Sequence, residues 1–147
     1  MVYNPQFARL GDILVHEGYI TEEQLKDALL KQGNFGLKLG ETLIKLGYLT
    51  ENELLEALHK QLGYDVVQDK ELMDLDINIV SSIPEPYAKE NKVLALREEG
   101  DGVVVAMTDP ENLIVSDSLE KILGKNIKPV LIGNSSLQDA IEKYYKS

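Results

Sequence analysis

The feature that most constrains this chain is an internal duplication in its first half. Residues 9–32 read RLGDILVHEGYITEEQLKDALLKQ, and residues 38–61 read KLGETLIKLGYLTENELLEALHKQ. The copies are separated by a five-residue spacer, and twelve of the 24 aligned positions are identical. Gly, Tyr, Thr and Gln match as well as Leu, so a shared apolar pattern does not explain the similarity. The duplication predicts two copies of one helical unit.

Each copy has the signals of a helix, a tight turn and a second helix. Gly18 suits the left-handed position that ends a helix. Thr21 and Gln24 have the spacing of a capping box, in which each side chain bonds the other residue's backbone N–H. The equivalent residues of the second copy are Gly47, Thr50 and Glu53. The repeat therefore predicts four short helices between about residues 6 and 62, with the second helix of each copy ending near its glutamine.

The pattern changes after Gly63, and residues 63–75 form the predicted junction. Short apolar runs around Asp101-Gly102 predict a β-hairpin in which Asp-Gly supplies the positive φ. The predicted helices are 76–83, 86–91, 112–123 and 135–145, and the predicted strands are 92–97, 103–107 and 127–132. The expected fold is α+β: a four-helix tandem-repeat subdomain (1–63, motifs 9–32 and 38–61) followed by a small three-stranded α+β subdomain (64–147).

Composition excludes several classes of function. The net charge of −10 disfavours long nucleic acids, which are bound mainly through Lys and Arg contacts to phosphate. Because there is no cysteine, disulfides, thiolate catalysis and Cys-based zinc sites are ruled out. The sequence has no phosphate-binding Gly-rich loop and no serine nucleophile motif, and His16 and His59 lack metal-ligand spacing. A non-catalytic, cytoplasmic domain is expected, without a metal or cofactor.

Two positions of the repeat leave alternatives open. Gly11 and Gly40 lie inside helical patterns, where glycine costs about 1 kcal/mol relative to alanine. They indicate either close packing or close approach of a ligand. On periodicity alone the repeated leucines are most simply core, and Asp109, before Pro110, is most simply a turn or cap residue.

The repeat closely resembles the MshEN-type domain, the N-terminal module of type IV pilus and type II secretion assembly ATPases. The resemblance rests on Arg/Lys-Leu-Gly, the leucine spacing and the final Gln, and it extends to Ile83-Pro84-Glu85, Ala88, residues 105–110 and Tyr144-Tyr145. It implies binding of cyclic di-GMP. The implied ligand contacts, with Asp109 as an added candidate, are Arg9, Leu10, Gly11, Leu14, Leu25, Leu29, Gln32, Lys38, Leu39, Gly40, Leu43, Leu54, Leu58, Gln61 and Asp109.

Two features depart from the family's pattern. Lys38 stands where arginine is favoured, so a point charge replaces a planar pair of donors. Tyr19 and Tyr48 stand where branched aliphatic residues are usual, and they fit either stacking or core packing. The implied partners are the ATPase motor of the full-length protein and an inner-membrane platform or assembly protein, with the domain peripheral to that membrane. The alternative is a docking module that recruits the ATPase without binding nucleotide.

Overall fold

A computed structural model describes residues 10–36, 38–110 and 112–145. The chain divides into two compact units, Met1–Gly63 and Tyr64–Ser147. The first contains helices and the second combines helices with a three-stranded sheet. The α+β class expected from the sequence is confirmed.

The first unit contains four helices in its described part. They are α1 (Leu10–His16), α2 (Glu22–Phe35), α3 (Leu39–Lys45) and α4 (Glu51–Leu62). Both predicted capping boxes are present: the Thr21 hydroxyl accepts from the Gln24 N–H, and the Thr50 hydroxyl accepts from the Glu53 N–H. Gly18 and Gly47 both have φ near 80°, which is the left-handed conformation predicted for the turn. The expected start near residue 6 lies outside the described residues.

The second helix of the first repeat is longer than the repeat pattern predicts. It continues through Gln32 into the spacer and ends at Phe35, where Gly36 takes the left-handed conformation and its N–H bonds the Gln32 carbonyl. The predicted end at Gln32 is therefore wrong. The repeat boundary marks where the two copies stop matching, whereas the helix passes through Gly33 and ends only at Gly36, the glycine that takes positive φ.

The core of the first unit is built from equivalent positions of the two repeats. α2 packs against α3, and α1 packs against α2, α3 and α4. The buried side chains form matched pairs, which are Leu14 with Leu43, Ile20 with Leu49, and Ala28 with Ala57. Each repeat thus supplies half of one shared core.

The second unit is built on the sheet order β1-β2-β3. The strands are β1 (Val93–Glu99), β2 (Gly102–Met107) and β3 (Asn126–Leu131). β1 pairs with β2 antiparallel, with a register shift between Ala95 and Arg97, and β2 pairs with β3 in parallel. The hairpin's positive φ falls on Gly100 rather than on Asp101-Gly102, because Gly102 already pairs with Glu99 as the first residue of β2.

Helices surround this sheet, and the long ones fall where the sequence predicts them. They are α5 (Ile77–Val80), α6 (Glu85–Asn91), α7 (Leu113–Leu123) and α8 (Asn134–Tyr145), and a short 3-10 turn covers Asp69–Leu72. α7 starts at the Asn112 cap, ends at Gly124 and forms the crossover between the parallel strands. Leu137, Ile141 and Tyr144, predicted to share one face of α8, are all buried.

Candidate functional site

The first turn of α1 lies against leucines from both repeats. Gly11 is buried, and a Cβ placed on it would lie 2.7 Å from Cδ1 of Leu25 and 3.2 Å from Cδ2 of Leu39. Leu25 belongs to α2 of the same repeat, whereas Leu39 opens α3 of the other. A side chain larger than hydrogen has no room at this position without displacing a leucine.

The equivalent turn of α3 repeats the arrangement with the roles of the two copies exchanged. A Cβ on Gly40 would lie 2.9 Å from Cδ2 of Leu54, in its own repeat, and 3.8 Å from Cδ2 of Leu10, in the other. The two repeats are therefore related by an approximate two-fold relationship, with their first helices meeting at their N-terminal turns. Of the two alternatives for these glycines, the geometry favours close packing, since leucine side chains occupy the space that their missing Cβ atoms leave.

A polar contact also joins the repeats. The Tyr48 hydroxyl, after α3, donates a hydrogen bond of 2.5 Å to the Asp27 carboxylate on α2. Asp27 also pairs with Lys31 one helical turn later, at 3.2 Å. The Tyr48 bond, and then the bond from Lys31, hold the pKa of Asp27 below its usual value, and the same Asp27 bond raises the pKa of Tyr48.

The equivalent residues in the other half of the unit are Tyr19, after α1, and Glu56, on α4. Glu56 pairs with Lys60 at 2.7 Å, and the Lys60 bond is the main reason that the pKa of Glu56 is lowered. Burial, followed by the charge of Glu56, raises the pKa of Tyr19. Each tyrosine therefore lies close to the acidic residue of the other repeat, and the Tyr48–Asp27 pair forms a hydrogen bond.

The candidate polar contacts are only partly described. Lys38 is exposed and precedes α3 in extended conformation, and its carbonyl accepts bonds from both the N–H and the hydroxyl of Thr42. Gln32 is half-buried on α2. Arg9 and the side chain of Gln61 lie outside the described residues.

The eight candidate leucines do not share one environment. Leu14, Leu43 and Leu58 are buried. The half-buried ones are Leu10, Leu25, Leu39 and Leu54. Leu29 is 53% exposed although its equivalent, Leu58, is only 7% exposed. Periodicity most simply predicts a core position for Leu29, and this prediction is wrong. The repeat pattern shows which face of the helix a residue lies on, but not whether another element covers that face.

A cleft opens between α1 and α2 of the first repeat. Its volume is about 420 Å³. Its apolar lining includes the candidates Leu25 and Leu29, and the full lining is Asp12, Val15, His16, Glu22, Leu25, Lys26 and Leu29. The cleft thus combines an aliphatic floor with charged groups of both signs.

Asp109 belongs to the second unit. It is half-buried after β2, where its carbonyl accepts a bond from the N–H of Asn112. This is the turn role that the sequence favours for it. The geometry described for the first unit does not include it.

The cross-repeat contacts of the two tyrosines are what sequence reasoning missed. From sequence alone Tyr19 and Tyr48 fit either stacking or core packing, and neither Asp27 nor Glu56 stands out among the acidic residues. The available signal was that both a tyrosine and an acid recur at equivalent positions in each repeat. Nothing local connects them, since Tyr48 and Asp27 are 21 residues apart.

Across 10–36, 38–110 and 112–145, no group of three or more His, Cys, Asp or Glu side chains is placed to hold a metal ion. No helix within the described part of the chain is long and apolar enough to cross a membrane.

Together, the duplicated helical unit and the three-stranded unit define a two-part α+β domain. The chain belongs to the MshEN domain family, whose model matches residues 61–147, more than half of the chain. That match covers the second unit, whereas the sequence resemblance rested mainly on the tandem repeat of the first.

Comparison with individual proteins extends the similarity to the repeat. The chain is 34% identical over 137 residues to the type IV pilus assembly ATPase PilB of Myxococcus xanthus (strain DK1622), covering 93% of this chain and 24% of that protein. It therefore spans about a quarter of that relative's length. A structure of MshE with cdg (cyclic di-GMP) has a TM-score of 0.78 at 37% identity, covering 94% of this chain and 99% of the other. The N-terminal domain of XpsE shares the fold, with a TM-score of 0.76 at 17% identity and 98% coverage of both chains.

Proposed function

We propose that this chain is a cyclic di-GMP receptor domain and that its tandem repeat forms the binding site. The observation that carries the proposal is the 37% identity, over 94% of the chain, to MshE in a structure with that nucleotide. This coverage includes at least part of the repeat, where the proposed contacts lie.

The internal symmetry of the first unit supports a symmetric ligand. Cyclic di-GMP has two guanines and two phosphates related by a two-fold axis. The packing around Gly11 and Gly40 relates the two repeats by a similar exchange, since each glycine lies against a leucine of the other copy. A duplicated unit therefore offers two similar sets of contacts to one ligand.

The proposed contacts divide by chemistry. Arg9 and Lys38 provide cations for phosphate or for a guanine edge, and Gln32 and Gln61 provide directional amides. Leu29 offers exposed apolar surface beside the cleft, where it can cover a base or ribose. The other proposed contacts are the half-buried Leu10, Leu25, Leu39 and Leu54, whereas Leu14, Leu43 and Leu58 are buried and Asp109 has a turn role in the second unit. Gly11 and Gly40 act by letting the helices pack closely rather than by admitting the ligand.

The biological role follows from the relatives. We propose that the full-length protein is a pilus or secretion assembly ATPase, that its motor lies outside these residues, and that ligand binding changes how this domain docks on the motor. An inner-membrane platform or assembly protein is the proposed second partner, which would place the domain in the cytoplasm at that membrane.

Calorimetric titration of the purified 147-residue chain with cyclic di-GMP tests the proposal. We expect one nucleotide per chain and much weaker binding of GTP, GMP and ATP. Absence of both heat and thermal stabilisation at high micromolar ligand would reject the receptor function and leave the docking module.

A further inference from the structure

Two tyrosines of the first unit lie close to acids of the other repeat, and the proposed ligand contacts do not explain this placement. The Tyr48 hydroxyl bonds Asp27 at 2.5 Å, and Tyr19 lies close to Glu56. Both rings are half-buried against the shared core, so a plain aromatic ring would satisfy the packing. The Tyr48 hydroxyl adds a specific link to the other repeat.

The position of this link matters for the ligand site. Tyr48 lies in the turn after α3, the helix that Lys38 precedes, and Asp27 lies on α2 with Leu29 and Gln32. The bond therefore connects the turn after α3, the helix that begins beside the proposed contact Lys38, to α2, which carries the proposed contacts Leu29 and Gln32. Tyr19, in the turn after α1, lies close to Glu56 on α4 in the equivalent arrangement.

We propose that Tyr48 is a positioning residue: its hydroxyl links the second repeat to the Asp27 carboxylate of the first, and this link, with Tyr19 at the equivalent place in the other half, sets the spacing of the two halves of the ligand site. A ligand that touches both repeats loses less free energy when that spacing already exists before binding. The part of this inference that concerns affinity rests on the proposed function.

The acids are held in place for this role. Asp27 pairs with Lys31, and Glu56 pairs with Lys60, each across one helical turn. These pairs orient the carboxylates and keep them ionised, which makes them stronger acceptors for a phenol. A tyrosine, an acidic residue and a lysine stand at equivalent positions in both repeats, as expected if the two halves are positioned symmetrically.

The first experiment measures the spacing without ligand. The chain contains no cysteine, so spin labels can be placed at Glu23→Cys and Asn52→Cys, equivalent exposed positions on α2 and α4. Double electron–electron resonance should give a broader distance distribution in the Tyr19→Phe/Tyr48→Phe variant than in the parent. Equal widths would overturn the proposal, whatever the chain binds.

The second experiment measures affinity for cyclic di-GMP by calorimetry, well below the unfolding temperature. We expect Tyr19→Phe/Tyr48→Phe to bind about three- to tenfold more weakly than the parent. Tyr87→Phe, a half-buried tyrosine in the second unit, is the matched control and should bind like the parent. A lower melting temperature with unchanged affinity would mean that the two hydroxyls are merely structural, and the proposal would fail.

A double-mutant cycle separates positioning from direct contact. Tyr48→Phe and Asp27→Ala should each weaken binding, and their combination should weaken it no further, because both remove the same link. Lys31→Ala controls for the ion pair lost with Asp27 and should have a smaller effect. Additive losses would show that the hydroxyl touches the nucleotide itself, which contradicts the positioning role. If the parent does not bind, the proposed function fails, and the role in affinity with it, while the distance measurement still decides whether the link sets the spacing.

Discussion

The Tyr48 hydroxyl donates a hydrogen bond to the Asp27 carboxylate, and so joins the turn after α3 of one repeat to α2 of the other. The bond is 2.5 Å long, and with the contribution of Lys31 it lowers the pKa of Asp27. Tyr19 and Glu56 lie close together at the equivalent place in the other half of the unit. Two short helical hairpins thereby form one unit through polar contacts as well as through a shared core.

Acid should weaken this unit through Asp27. Because its folded-state pKa is depressed, Asp27 stabilises the fold above its unfolded-state pKa, and the contribution is lost as pH falls through the folded-state value. Urea unfolding should therefore show a smaller loss of stability for Asp27→Asn than for the parent between about pH 5 and pH 2. Tyr48→Phe should also flatten the profile. Identical pH profiles in all three proteins would contradict the bond's role.

Gly11→Ala should destabilise the first unit by about 1–2 kcal/mol, because overpacking against Leu25 outweighs the helix propensity gained. The added Cβ would lie 2.7 Å from Cδ1 of that leucine. Gly33→Ala, on α2, is the matched control, since no heavy atom lies within 4 Å of its Cβ position. That substitution should stabilise by about 0.5–1 kcal/mol. Thermal and urea unfolding compare the two, and equal effects of both would refute the packing role.

Tyr145→Phe should destabilise the second unit by about 1–2 kcal/mol, because the two carbonyls that share its single hydroxyl hydrogen lose that donor. The hydroxyl lies 3.0 Å from the Val80 oxygen and 2.8 Å from the Ile83 oxygen. Calorimetric unfolding of parent and variant measures the difference. No change in stability would mean that water replaces the hydroxyl at no cost.

The same residue should make the fold sensitive to alkali. Burial, and then the charge of Glu85, raise the pKa of Tyr145 to about 12. A raised folded-state pKa stabilises below the unfolded-state value, about 10 for tyrosine, and the contribution is lost as pH rises through the folded-state pKa. Tyrosinate absorbance should show a late-titrating group in the parent that is missing in Tyr145→Phe. If every tyrosine of the parent titrated near the ordinary pKa of about 10, the burial of the Tyr145 hydroxyl would be contradicted.

The cations test the ligand site directly. Arg9→Ala and Lys38→Ala should each weaken cyclic di-GMP binding by about 1.5–3 kcal/mol, at least about tenfold, because each removes a charge-assisted contact. Lys38→Arg should tighten binding by about 1 kcal/mol, since guanidinium adds a second parallel donor. Calorimetry measures affinity and circular dichroism checks the fold. Loss with Arg9→Ala but none with Lys38→Ala would show that the repeats are not equivalent.

Local sequence was sufficient for most of the helices and strands. A capping box involves residues three apart, so Thr21 and Gln24 are recognisable from local sequence. The same holds for Gly18, because glycine readily adopts the positive φ that ends a helix. α7 was predictable for the same reason, with Asn112 at its start and Gly124 at its end. The prediction failed for the end of α2, because a repeat boundary is not a helix boundary.

The candidate site was predictable as a set of positions but not as an arrangement. Duplication identifies equivalent residues. Leu29 is nevertheless exposed while its equivalent Leu58 is buried, because exposure depends on neighbours distant in the chain. The register shift in β1 and the parallel pairing of β3 were missed for the same reason.

The sequence by itself determined that the first half is one helical hairpin used twice, since the capping and turn residues that specify the hairpin recur in the second copy. Only the tertiary structure decided how the copies face each other. It placed Leu25 and Leu39 against Gly11, which makes that glycine a packing residue, and it brought Tyr48 to Asp27. Contacts of this kind join residues far apart in sequence, and their geometry depends on the packing of whole helices, which no local pattern encodes.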